Sequence, residues 1–91
     1  MLKITVQTEE TRTVLELEGK LAGPWVQELE SCWQQVKAAD RQLRISLKAV
    51  MFIDGAGKKL LAGMHRQGVE LLAEGCMTKA IVDQIIRGES L

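Results

Sequence analysis

Val50-Met51-Phe52-Ile53-Asp54-Gly55-Ala56-Gly57-Lys58-Lys59-Leu60-Leu61 decides the fold of this chain. An apolar run stops at an aspartate, a Gly-Ala-Gly turn follows, and an amphipathic segment begins. That order reads as a strand or extended segment feeding the N-terminus of a helix. Backbone N–H groups there lack intrahelical partners, and an anion or a protein can dock on them.

Working outward, Leu43, Ile45 and Leu47 alternate with Arg44, Ser46 and Lys48, a strand that precedes the turn. Farther upstream, Leu2-Lys3-Ile4-Thr5-Val6 alternates in the same way, and Thr11 to Glu18 repeats the pattern through Val14, Leu15 and Leu17. The polar Glu9-Glu10 between them predicts a hairpin, and Gly19 to Gly23 ends the second strand. Pro24 suits a first helical position, since its φ is fixed and its missing N–H would be unpaired there anyway. Trp25, Leu29, Cys32, Trp33 and Val36 then mark the apolar face of a helix of about four turns.

Downstream, the helix opening near Gly55 is expected to run to about Gln67, with Leu60, Leu61 and Met64 inward and Gly68 as its stop. Val69 to Ala73 reads as a short fourth strand. A last helix after Gly75 carries Met77, Ala80, Ile81 and Ile85 on its apolar face and ends near Gly88. The order β-β-α-β-α-β-α predicts an α/β fold, a single mixed sheet of about four strands with helices on one or both faces. The strands joined by helical crossovers are expected to pair in parallel. No linker or repeat divides the chain, so residues 1–91 read as one domain.

The composition is 46% hydrophobic and 26% charged, which supplies a core and argues against disorder. Only Phe52, Trp25 and Trp33 are aromatic, so the core must be aliphatic. With 12 basic and 12 acidic residues the formal net charge is zero. A nucleic-acid binder needs a basic stripe and stacking aromatics, and an anionic membrane surface needs a basic cluster; neither pattern occurs. No apolar run approaches the length of a membrane span, and the first residues do not read as a signal peptide. The expectation is a soluble, cytoplasmic protein whose cysteines, Cys32 and Cys76, are buried thiols in a reducing compartment.

Several residues admit a sharp and a plain reading. Asp54 is an N-cap, a functional acidic contact, or both. Gly57-Lys58-Lys59 fails the phosphate-loop template: Phe52 stands where the leading glycine belongs, and Lys59 where Ser or Thr belongs. Two lysines in a first helical turn oppose the helix dipole, which suits either solvated surface charge or an acidic partner. His65 is the single histidine and has no companion at ligand spacing, so no metal is expected. Neither Ser31 nor Ser46 sits in a nucleophile signature, so no catalysis is expected. Trp25 and Trp33 read as core, with Trp25 alternatively anchoring an interface.

In order and spacing, these segments resemble the STAS domains of anti-sigma-factor antagonists over almost the whole chain. Leu15-Glu16-Leu17-Glu18-Gly19-Lys20-Leu21 is similar to the family's strand end before its first helix. Leu43 to Val50 is similar to its central strand and the turn after it, Phe52 to Gly57 to its switch loop, and Gly68 to Leu72 to its last strand. The chain departs from the pattern at Ala22 and Ser46, where the family usually or often has Asp. It departs again at Gly55 and Ala56, which lack the hydroxyl that the family phosphorylates. The family's phosphorylation position is occupied by Ala56.

The resemblance implies a non-catalytic module of a bacterial signalling or transcription pathway, without cofactor, that binds a protein partner. That partner would be an anti-sigma-factor or kinase-like ATPase domain, or a larger signalling complex. The expected contact residues are Asp54, Gly55, Ala56, Gly57, Lys58, Lys59 and Ala62. The small ones would permit close approach of a partner and the lysines would supply electrostatic complementarity. A phosphate would add about −1.5 to −2 charges at the helix N-terminus; with no hydroxyl in the loop, the interaction is expected to be blind to that switch. Two other readings remain open: a nucleotide- or anion-sensing STAS module, and a STAS subunit of a lipid-transport ABC complex, whose relatives carry Thr-Ala-Gly where this chain has Gly55-Ala56-Gly57. A weak homodimer is a further expectation.

Overall fold

The computed structural model of the chain describes residues 2–37 and 42–88, apart from the side chains of Cys76 and Met77. Seven elements follow in the expected order: β1 (Leu2–Thr8), β2 (Arg12–Leu21), α1 (Pro24–Lys37), β3 (Gln42–Ile53), α2 (Gly55–Arg66), β4 (Glu70–Leu72) and α3 (Cys76–Ile86). They build one four-stranded mixed sheet in the order β1-β2-β3-β4. The β1–β2 hairpin is antiparallel, while β2–β3 and β3–β4 are parallel, as helical crossovers require. Pro24 takes the first position of α1.

Leu15 of β2 lies in register with Ile45 of β3, which lies in register with Leu71 of β4; all are buried. Together with Leu17 and Leu47 they form the face that the helices cover through Leu29, Trp33, Leu61, Met64, Val82 and Ile85, all in one aliphatic core. Removing side chains of this size from water stabilises by about 1.5–3 kcal/mol each. The opposite face carries Lys3, Thr5, Glu16 and Glu18, all exposed. Helices therefore cover one face, and the other is polar apart from the buried Val14.

The strands that lead to the quoted stretch are longer than their alternation suggested. β2 continues through Gly19 to Leu21, and β3 runs through the whole apolar segment to Ile53. Glu16 pairs with Ser46 but Glu18 with Ala49, and Gly19 pairs with Val50 but Lys20 with Phe52. Each shift adds one residue to β3, a bulge that resets which side chain points inward. Buried positions thus change from every second residue (Leu43, Ile45, Leu47) to every third (Leu47, Val50, Ile53). Met51 and Phe52 are left 69% and 47% exposed. Gly19, at φ 110, takes up a conformation there that a side chain would oppose.

Further differences are smaller. Trp33 is buried, whereas Trp25, Cys32 and Val36 are half-buried. In α3 the buried residues are Thr78, Val82 and Ile85; Ile81 is half-buried and Ala80 faces solvent, which corrects its expected inward position. Met77, also expected on that face, and the Cys76 thiol lie outside the described residues. Among the described residues no helix is long and apolar enough to cross a membrane.

Candidate functional site

The first turn of α2 begins where β3 ends, and Asp54 is the hinge between them. It stands at the N-cap with φ −83° and ψ 179°. Its Oδ1 accepts the Gly57 N–H at 2.8 Å, which satisfies one of the donors that a helix start leaves unpaired. Its Oδ2 accepts the Gly23 N–H at 2.9 Å, from the turn that opens α1. The Asp54 backbone N–H donates to the Leu21 carbonyl at 3.1 Å, and its own carbonyl accepts from Lys58 N–H at 2.9 Å. One residue thus ties the ends of β2 and β3 to the starts of α1 and α2. The N–H donors of Gly23 and then Gly57 hold the Asp54 carboxyl below its usual range against the opposing effect of burial, and Ala56 adds a lesser contribution.

Sequence reasoning selects Asp54 but misses Gly23. The two are 31 residues apart, and nothing local to Gly23 marks it as more than a turn residue. Its φ of 59° aims its N–H at the carboxylate.

The other expected residues divide between two faces of α2. Gly55, Ala56 and Lys59 are exposed and Ala62 is half-buried, which gives one outward stripe; Lys58, half-buried, lies on its flank. Gly57 is turned the other way and is buried. A Cβ there would stand 2.8 Å from the Leu21 carbonyl oxygen and 2.9 Å from Ile53 Cγ2. Its lack of a side chain serves the packing of α2 on the strand ends, so the expectation that it makes room for a partner's backbone gives way to an internal role. At Gly55 a Cβ would meet nothing within 4 Å. That glycine and Ala56 leave open surface.

This geometry bears on the anion reading. A phosphate at the α2 N-terminus would need the donors that Asp54 already engages, and the carboxylate puts negative charge in that seat. Elsewhere, a cavity of about 430 Å³ opens at the other end of the sheet, lined by Trp33, Lys37, Leu43, Gln67, Gly68 and Val69. The Lys37 ammonium stacks 4.9 Å above the Trp33 ring and donates to Gln67 Oε1 at 3.1 Å. Among the described residues no group of three or more His, Cys, Asp or Glu side chains could hold a metal ion.

No family model matches the chain, and no curated protein matches it. Solved structures do. An anti-sigma factor antagonist from Mycobacterium paratuberculosis superposes with a TM-score of 0.84 at 22% identity, over 100% of this chain and 85% of that one. The anti-sigma factor antagonist SpoIIAA in its unphosphorylated form gives 0.62 at 14% identity, over 94% and 99%. Mglu gives 0.63 at 22% identity over 80% of this chain but only 19% of its own, so the fold also occurs as part of a larger protein. The chain has the fold of the anti-sigma factor antagonists, as the resemblance implied.

Proposed function

We propose that this protein is a non-catalytic interaction domain of the anti-sigma-factor-antagonist type. It binds a protein partner through the Asp54–Gly57 turn and the outward stripe of α2. The observation that carries this reading is the pair of hydrogen bonds that the Asp54 carboxylate accepts from the Gly23 and Gly57 N–H groups, which fixes a turn whose outer residues, Gly55 and Ala56, are small and exposed. A prefixed turn loses little conformational entropy on binding, and its small residues let a partner approach the helix start closely. Lys58 and Lys59 supply the positive charge that an acidic partner surface would meet. Asp54 and Gly57 act indirectly, by holding the turn. With no hydroxyl at Gly55 or Ala56, the turn cannot be switched by phosphorylation at those positions.

Capture of the tagged protein's partner from its native lysate, followed by calorimetry of the purified pair, tests the proposal. An anti-sigma-type ATPase, recovered with the native protein and lost with Gly55→Asp/Ala56→Glu, is the expected result. Transporter subunits, or a partner whose affinity ignores both substitutions, would overturn it.

A further inference from the structure

We propose that a second copy of this chain pairs with the free edge of β1, joining two sheets into one of eight strands. β1 is one of the two edge strands and pairs only with β2 among the described strands. Its seven residues run in unbroken register with β2 and contain neither proline nor bulge, two of the means of protecting an edge, and Lys3 is their one charged residue. The Glu9 N–H donates to the Arg12 carbonyl at 2.8 Å, and these residues continue the same register. Antiparallel pairs alternate between hydrogen-bonded and non-bonded, so Lys3, Thr5 and Gln7 bond β2. Leu2, Ile4, Val6 and Thr8 then direct their N–H and C=O groups to the open edge.

Side-chain exposure points to the same edge. Val6 pairs with the fully buried Leu15 and so lies on the helix-covered face, yet it is 46% exposed. Among the described residues, α1 packs over β2 and leaves that face open at the outer end of β1.

Charge selects the register. With Val6 of both copies on a two-fold axis, Ile4 faces Thr8, and Lys3 of each copy faces Glu9 of the other. The outward groups of Ile4, Val6 and Thr8 then form about six backbone hydrogen bonds, two for each closely spaced pair. Glu9, which also meets Arg12 at 3.5 Å, gains an opposite charge across the axis. The chain's zero net charge adds no repulsion between copies. Strands spaced about 4.8 Å apart set the two β2 strands about 14 Å apart, so two α1 helices of about 10 Å diameter fit side by side over the join.

Sedimentation equilibrium from low micromolar to millimolar concentration tests this without any other protein, so its outcome is independent of the function proposed above. The native chain should dimerise. Lys3→Glu and Glu9→Lys should each weaken the dimer about tenfold, and the double reversal should restore it. Val6→Pro removes an outward donor without breaking the ladder to β2, and should leave a folded monomer by circular dichroism. A native chain that stays monomeric at millimolar concentration, or a double reversal that does not restore dimerisation, would refute the pairing.

Discussion

Gly55 and Gly57 are separated by one residue and should respond to the same substitution in opposite ways. Alanine at position 57 must displace the Leu21 carbonyl or Ile53, and overpacking of this kind costs about 1–3 kcal/mol. Alanine at position 55 enters open space at the start of a helix and should change stability by less than about 0.5 kcal/mol. Urea denaturation of both variants checks the pair; equal effects would contradict the buried placement of Gly57. Asp54 gives a prediction in pH. Its folded pKa is lowered by the Gly23 and Gly57 donors, so its stabilisation is fully present above the unfolded value of about 3.9 and is lost as pH falls through the lower folded value. Asp54→Asn should lower the urea midpoint at pH 6 and lower it less in acid below the depressed folded value, where the native carboxylate has taken up its proton. An equal loss at both pH values would mean that the charge contributes nothing. The N-cap half of this arrangement is legible in the sequence, because Asp-x-x-Gly lies within one turn. The Gly23 half is not, because it depends on how two distant strand ends are brought together.

Element by element, the order of strands and helices follows from hydrophobic period and turn residues, and the structure keeps that order. What the period cannot convey is a change of phase. Leu43, Ile45 and Leu47 set an alternation that, extended, would bury Ala49 and Met51; the two bulges against β2 bury Val50 and Ile53 instead. Bulges arise from pairing with another strand, so neither strand's own sequence declares them. The inward face of α3 has a similar origin. Thr78 is polar and falls outside the expected apolar face, yet its Oγ1 is buried and donates to the Val50 carbonyl at 3.3 Å. β4 pairs only with Arg44 to Ser46, so Val50 lies beyond the reach of that strand and α3 supplies the contact. Thr78→Val preserves the shape but removes the donor and should cost about 1 kcal/mol. A variant as stable as the native chain in calorimetry would show that this bond adds nothing to the docking of α3.

At the scale of the whole molecule, a chain of zero net charge cannot steer a partner by its overall field, so any steering must come from local charge. The start of α2 supplies it. Lys58 closes a first turn that contains no acidic residue, Lys59 follows it directly, and the one carboxylate beside them, Asp54, is engaged by backbone N–H groups. Both lysines oppose the helix dipole, so the fold alone gives no reason for their sign. Lys58→Glu/Lys59→Glu should therefore separate stability from binding. A glutamate at position 58, in that turn, favours the dipole by about 0.3–1 kcal/mol at low ionic strength, one at position 59 by less, and thermal unfolding should shift upward. Association with an acidic partner should slow by about tenfold at low salt, and the difference should shrink as salt is added. Stopped-flow association at two ionic strengths, beside a melting curve of the free variant, reads both effects. A variant that is more stable and binds as fast as the native chain would remove the lysines from the interface and leave recognition to the small residues of the turn.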